Sequence, residues 1–155
     1  MCAGPSSITS ASARANPLQE YMRQRFLPDL PVRNKNFAKQ RLGRIGETFA
    51  CEYLVRHHYT LVERNFRKRY GELDIIAVKD NTLVFVEVKT RKDRRFGLPE
   101  EAVTGRKLRE VAQTAAYYKL LHPTLPDRMR IDVIAIELGP DETLCAFRHI
   151  ENVTK

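Results

Sequence analysis

Apolar residues recur along the chain at two spacings, one typical of α-helices and one typical of β-strands. Helical spacing predicts a first helix over about residues 40–57. Its apolar positions are Leu42, Ile45, Phe49 and Leu54. A second helix is predicted over about 99–121, because Pro99 suits a first helical position and Glu100 and Glu101 suit the positive end of the helix dipole.

Stretches rich in β-branched and aromatic residues predict five strands. They cover about residues 59–66, 72–79, 82–91, 130–138 and 144–153. The order α-β-β-β-α-β-β predicts an α/β fold in which helices flank a central mixed β-sheet. No run of 18 apolar residues occurs, so a membrane-spanning helix is not expected.

The first 40 residues differ in composition from the rest of the chain. They hold four of the eight prolines, a serine-rich start and six basic residues against two acidic ones. Because few apolar positions recur, residues 1–40 are predicted to be a largely disordered, basic extension of a domain at 41–155. The extension is either a solvated tail or an arm that adds nonspecific affinity for phosphates.

Lysine and arginine outnumber aspartate and glutamate by 27 to 19 in the 155 residues, which gives a formal net charge of +8. This charge favours a polyanionic partner. No basic amphipathic helix of the kind that binds membrane surfaces is evident, so nucleic acid is the expected partner. Three widely spaced cysteines form no metal-binding pattern, and no signal sequence is evident, so a reduced, cytoplasmic location is expected.

Two charged residues interrupt an apolar face of the strand predicted over 82–91. Leu83, Phe85, Glu87 and Lys89 share that face, because successive strand residues point to opposite sides. An unpaired charge in such a place costs several kcal/mol. Glu87 and Lys89 therefore require partners or a bound ion.

The turn before this strand brings further carboxylates to the same place. Asp80–Asn81 predicts a two-residue hairpin turn, since both residue types tolerate positive φ. In that register Asp74 falls opposite Glu87, and Glu72 falls opposite Lys89. Two carboxylates about 5 Å apart repel. The pair indicates either a divalent cation, Mg²⁺ or Mn²⁺, or a structural cluster in which Lys89 neutralises Glu72 or Glu87.

Basic residues flank this acidic region on both sides. They are Arg67, Lys68 and Arg69 before it, and Arg91, Lys92, Arg94 and Arg95 after it. Lys107, near the start of the second helix, is a further candidate for a phosphate contact. An acidic pocket between basic loops suits a phosphodiester substrate, with Lys89 placed to orient a water or to neutralise phosphate charge.

The acidic pair resembles the core of the PD-(D/E)XK nucleases, which have the restriction-endonuclease-like fold. Asp74 precedes Glu87-Val88-Lys89 by thirteen residues, and Gly43-Arg44-Ile45-Gly46-Glu47 resembles the first-helix glutamate motif of that superfamily. The spacing is similar to that of archaeal Holliday junction resolvases. More closely, residues 41–153 resemble the YraN-like family of predicted endonucleases. The further matching pieces are Arg64-Asn65-Phe66, Gly71-Glu72-Leu73-Asp74, Phe85-Val86 and Arg130-Ile131-Asp132-Val133.

The resemblance implies a restriction-endonuclease-like core and a role for each matching residue. Asp74 and Glu87 would hold Mg²⁺ or Mn²⁺ near the carbonyl of Val88, and Lys89 would assist the attacking water. Glu47 would act through a second metal ion or a water. The sequence equally allows Glu47 an ordinary surface position on its helix.

Gln113 and Tyr117 stand four residues apart and so share one face of the second helix. This Q-x-x-x-Y spacing resembles the helix motif of RecB-type nucleases, which lies near the DNA. The flank of an amphipathic helix explains the same spacing. Asp132 alternates with apolar residues and is expected to be structural, in a pair with Arg130.

These features predict a metal-dependent endonuclease that hydrolyses phosphodiester bonds in nucleic acid, with structured or branched DNA as the expected substrate. The alternative is a non-catalytic nucleic-acid-binding protein that keeps the fold. A scaffold that docks through its basic tail would leave the pair of Asp74 and Glu87 unexplained. Symmetric cutting of two strands would require a homodimer, for which the sequence reveals no interface.

Overall fold

The computed structural model describes residues 35–92 and 99–154. Its elements are helix α1 (Lys35–Arg56), strands β1 (Thr60–Lys68), β2 (Gly71–Lys79) and β3 (Thr82–Arg91), a 3-10 turn (Pro99–Ala102), helix α2 (Gly105–Leu121), and strands β4 (Arg128–Leu138) and β5 (Leu144–Ile150). Most of the predicted N-terminal extension lies outside the described residues, as do Arg94 and Arg95. Within the described ranges, neither helix has the length and apolar character that a membrane span requires.

The strands of the described residues form one mixed sheet in the order β1-β2-β3-β4-β5. Strands β1, β2 and β3 pair antiparallel, β3 and β4 pair parallel, and β4 and β5 pair antiparallel. Helix α1 packs on one face of the sheet, and α2 packs on the other. The connection through α2 is what allows β3 and β4 to run parallel. The predicted α/β fold, with helices flanking a central mixed sheet, is confirmed.

The hairpin of β2 and β3 has the predicted register. The Asp80–Asn81 turn has φ values of 47° and 54°, and Lys79 pairs with Thr82 across it. Left-handed angles at both central residues give a turn whose twist matches that of the flanking strands. Backbone pairing continues from this turn as far as Ile75 and Val86.

Both helices begin at residues other than those predicted. Helix α1 begins at Lys35 rather than near residue 40. The second helix begins at Gly105 rather than at Pro99, because the hydroxyl oxygen of Thr104 caps it by accepting a hydrogen bond from the amide of Lys107. Pro99 lies in the separate 3-10 turn. The first turn of α2 therefore contains Lys107, whose side chain reaches β3.

Candidate active site

The sheet divides between β2 and β3 beside the predicted carboxylates. Backbone pairing of the two strands stops at Ile75 and Val86, one step before Asp74 and Glu87. Beyond that point the amide of Val88 donates a hydrogen bond to Oδ2 of Asp74 over 2.8 Å. The side chain of Asp74 thus lies in the fork between the strands, where it interacts with the charge of Glu87.

A left-handed residue on β1 stands at the level of this fork. Asn65 has a φ of 55°, a conformation that asparagine tolerates better than most residues. The alternation of β1 is interrupted there, since Glu63 and Phe66 both face α2. The side-chain amide of Asn65 donates a hydrogen bond to Oε2 of Glu47 over 3.1 Å, which connects β1 to α1.

Glu87 is the buried acidic residue of the site. Its side chain is only 1% exposed. Its Oε1 accepts a hydrogen bond from Nζ of Lys89 over 2.6 Å and lies 3.3 Å from Nζ of Lys107. Its Oε2 has no hydrogen-bond partner among the described residues, and such a buried acceptor calls for an explanation. One lysine from β3 and one from α2 therefore neutralise a carboxylate that retains an unused oxygen.

The carboxyl group of Asp74 is the titratable group of the fork. Burial and then the charge of Glu87 raise the pKa of Asp74 to about 7, while the hydrogen bond from the Val88 amide and the charge of Lys89 act to lower it. Asp74 consequently carries a proton over part of the neutral range. That proton relieves the repulsion that the register of the hairpin predicts.

Glu72 does not reach Lys89, contrary to the predicted register. The strands separate before that position, so Glu72 forms a surface ion pair with Arg67 on β1 at 3.2 Å. Lys89 contacts Glu87 instead. Of the two partners that the sequence allowed for Lys89, the structure selects the buried one.

Glu47 lies on α1 near the fork, and β1 holds its side chain. Asn65 donates to its Oε2, and the guanidinium of Arg64 lies 3.9 Å from the same oxygen. The charge of Glu47 also contributes to the raised pKa of Asp74. No three His, Cys, Asp or Glu side chains in ranges 35–92 and 99–154 form a group that could hold a metal ion. Of the three predicted acidic residues, Asp74 and Glu87 thus form a close pair, and Glu47 lies near them.

Asp74 and Glu87 are the residues that could hold a divalent cation. Mg²⁺ is commonly bound by one or two carboxylates, with water and substrate oxygens as the remaining ligands. The unused Oε2 of Glu87 and a second carboxyl group beside it fit this donor chemistry. A cation would also remove the need for the proton on Asp74.

Residues 46–136 match the family described as "Uncharacterised protein family UPF0102". The matched segment begins just before Glu47 and includes Asp74, Glu87 and Lys89. The chain belongs to the UPF0102 family. It is the family to which the YraN-like resemblance points.

Three relatives show the extent of the similarity. A UPF0102 protein of Symbiobacterium thermophilum is 46% identical over 105 residues, which cover 68% of this chain and 89% of the relative. One from Geobacter sulfurreducens is 42% identical over 124 residues, covering 79% of this chain and 95% of the relative. One from Caldanaerobacter subterraneus is 39% identical over 119 residues, which cover 76% of this chain and 98% of the relative. The similarity thus extends over nearly the whole length of these relatives.

The basic residues before the fork of this UPF0102 protein lie at an exposed hairpin. Lys68 ends β1, Arg69 follows it, and both are exposed. Next to them, a groove of about 480 Å³ lies between α1 and β1. Its lining residues are Gln40, Gly43, Arg44, Glu47, Asn65 and Arg67. The groove thus combines Glu47 with two arginines.

The basic residues after the fork lie at the end of β3. Arg91 is its last residue. Lys92 forms an ion pair with Glu142 of the β4–β5 turn at 3.0 Å, and Arg41 of α1 pairs with the same carboxylate at 3.0 Å. Glu142 therefore connects α1 to the end of β3.

The two predicted residues of α2 differ in their exposure. Gln113 is exposed, and Tyr117 is half-buried with its ring 5.1 Å from that of Tyr70.

Two residues that matter to the site were not predicted in their observed roles, namely Lys107 as a partner of Glu87 and Asn65 as a partner of Glu47. The positive φ tolerance of asparagine is the only local signal for either.

Asp132 is structural, and it pairs with Arg130 as expected. Its buried carboxylate accepts hydrogen bonds from Arg130, from the ring of His149 and from the amide of Asn152. Burial acts to raise the pKa of Asp132, but these hydrogen bonds outweigh it and hold the pKa below its ordinary value. The network fastens the end of β5 to β4.

Proposed function

We propose that this UPF0102 protein is a metal-dependent endonuclease of the PD-(D/E)XK superfamily that hydrolyses phosphodiester bonds in structured or branched DNA. The observation that carries the proposal is the fork, where Asp74 and Glu87 lie together beside Lys89. Two adjacent carboxyl groups, one with an unused buried oxygen, offer the oxygen ligands that a divalent cation prefers.

The residues of the fork would divide the chemistry between them. Asp74 and Glu87 would hold Mg²⁺ or Mn²⁺, which lowers the pKa of a bound water and offsets negative charge on the phosphate. The Nζ of Lys89, whose side chain is 29% exposed, would donate a hydrogen bond to the attacking water or to a phosphate oxygen. Lys107 would hold the carboxylate of Glu87 in position through its 3.3 Å contact with Oε1, and Glu47 would accept a hydrogen bond from water in the groove.

The charge around the fork supports a nucleic-acid substrate. The chain has a net charge of +8, and exposed Lys68 and Arg69 stand at the hairpin tip. Arg44 and Arg67 line the groove that contains Glu47. Cations of this kind bind phosphates without regard to base sequence, so the substrate is recognised by its charge and shape.

Nucleic-acid binding without cleavage is a second candidate, and one observation favours it. Lys89 and Lys107 approach the same oxygen of Glu87, so that carboxylate already has compensating charge without a metal ion. A protein that has lost turnover could retain such a pair for stability alone. The basic hairpin would then be the functional surface.

Cleavage of labelled DNA tests the proposal. Linear duplex, single-stranded, flap and four-way substrates, and an RNA of the same sequence, would be incubated with Mg²⁺, Mn²⁺ or EDTA. We expect metal-dependent cutting of structured DNA that Asp74→Asn and Lys89→Met abolish. Glu72→Gln, an acidic surface residue on the same strand, is the matched control and should cut normally. Binding without cutting, unchanged by EDTA or by either substitution, would establish the second candidate instead.

A further inference from the structure

The tip of the β1–β2 hairpin presents an aromatic ring among cations. Tyr70 is 36% exposed. The guanidinium of Arg69 lies over its ring at 4.6 Å and also donates a hydrogen bond to its hydroxyl. The ring of Tyr117 on α2 lies 5.1 Å from that of Tyr70, at 56°. By contrast, the adjacent Tyr118 is completely buried in the core, whereas Tyr117 is half-buried and packs against the edge of that core.

Contact with α2 holds this hairpin in place. Gly71 has a φ of 144°, and a β-carbon added there would stand 3.0 Å from Oγ1 of Thr114. Glycine is therefore required at position 71 for the hairpin to approach α2 this closely. Because Tyr70 is positioned in advance, a ligand that stacks on it would lose little conformational entropy from the protein.

We propose that Tyr70 and Tyr117 form a stacking platform for an unpaired base, with Lys68 and Arg69 binding the adjoining phosphates. Proteins that bind single-stranded nucleic acid combine exposed aromatic rings with cations, because every base has a π-face and every nucleotide a phosphate. The inference rests on the proposed function and narrows its substrate to DNA in which unpaired bases adjoin a duplex.

The platform lies close to the fork along β2. Tyr70 and Asp74 are four residues apart, so at most about 14 Å separates their Cα atoms. That distance corresponds to about four steps of a DNA strand at roughly 3.4 Å each. Cleavage would therefore fall within about four nucleotides of the stacked base.

Binding in EDTA separates the platform from catalysis. Fluorescence anisotropy would compare a flap with a fully paired duplex of equal length, for the full chain and its Tyr70→Ala and Tyr70→Phe variants. Tyr70→Ala should weaken flap binding by about 5- to 100-fold and duplex binding by less than about twofold. Tyr70→Phe keeps the ring and should bind like the wild type. Phe37→Ala removes an exposed aromatic ring from α1 (66% exposed) and is the matched control.

A base analogue gives a second readout that a merely structural role would not change. The fluorescence of 2-aminopurine at the unpaired position should be quenched by the wild type and not by Tyr70→Ala. If Tyr70→Ala melts at the wild-type temperature and weakens flap and duplex equally, or weakens neither, the platform is wrong and the proposed function stands. If the chain binds none of the oligonucleotides in EDTA and also cuts none of them with Mg²⁺ or Mn²⁺, both the platform and the proposed function are wrong.

Discussion

Asp74 on β2 accepts a hydrogen bond from the amide of Val88 on β3, over 2.8 Å, at the point where backbone pairing of these strands has ended. A carboxylate thus takes the place that a carbonyl oxygen occupies elsewhere in the sheet. Asparagine offers the same kind of acceptor without a charge. Substitution by asparagine therefore separates the geometric role of Asp74 from its electrostatic one.

Asp74→Asn is expected to raise the free energy of unfolding at pH 8 and to change it little at pH 4. Burial raises the pKa of Asp74 to about 7 in the folded chain, against about 3.9 in an unfolded one. Its contribution to stability is therefore complete below about pH 4 and is lost as the pH rises through 7. Urea denaturation at the two pH values should show a gain of about 1–3 kcal/mol at pH 8. A variant that is no more stable than the wild type at pH 8 would contradict this electrostatic account.

Asp132→Asn is expected to have the opposite sign. Hydrogen bonds hold the pKa of Asp132 below its ordinary value despite its burial, so its carboxylate stabilises the fold above about pH 4 and stops doing so as the pH falls. The substitution should lower the free energy of unfolding by about 2–4 kcal/mol at pH 8, since Arg130 would lose its buried charged partner and keep the more exposed Glu151. The loss should shrink on acidification. Equal effects of Asp74→Asn and Asp132→Asn would contradict this account. They would show that burial alone, and not the hydrogen-bonding and charged neighbours, determines the pKa of each carboxyl group.

Gly46→Ala should destabilise the protein, whereas Gly43→Ala on the same helix should stabilise it. A β-carbon at Gly46 would stand 1.8 Å from Oγ1 of Thr90 on β3, and one at Gly43 would meet no atom of the described residues within 4 Å. Overpacking costs about 1–3 kcal/mol, while alanine in an open helical position gains about 0.5–1 kcal/mol over glycine. Thermal melting of both variants checks this. Thr90→Ala added to Gly46→Ala should restore part of the loss, and its failure to do so would place the strain elsewhere.

Lys107→Met should lower the free energy of unfolding by about 1–3 kcal/mol, because it removes one of two cations from the buried Glu87. Arg106→Met is the control, since the adjacent Arg106 is 84% exposed and pairs along the helix surface with Glu110. Its effect should be within about 0.5 kcal/mol. In a Glu87→Gln background the cost of Lys107→Met should fall by at least about 1 kcal/mol, as measured by a double-mutant cycle. Additive effects would mean that Lys107 stabilises α2 without regard to Glu87.

The placement of Asp74 beside Glu87 could be predicted because it depends on local rules. The two-residue turn and the alternation of strand side chains fix the register from the turn outward. The same rules failed for Glu72, because the strands separate at the fork. That separation depends on a side chain competing with the backbone for the Val88 amide, which alternation does not encode.

The contact of Lys107 with Glu87 lay beyond the reach of the sequence. It depends on how α2 lies across the sheet, which in turn depends on the packing of residues such as Val111 and Tyr118. The start predicted for α2 was wrong for a related reason. Proline suits the first turn of an α-helix and also a 3-10 turn, and only the hydroxyl of Thr104 distinguishes the two.

The Asp80–Asn81 turn, about 20 Å along the strand from Asp74, determines whether the site exists at all. One residue added to this turn would shift β3 by one place against β2. Glu87 and Lys89 would then point to the face that α1 covers, while the helix that carries Lys107 stayed on the other side. Every side chain of the site would still be present, but the sheet would stand between them. An exposed turn with no chemistry of its own is thus the segment of the hairpin whose length can change least.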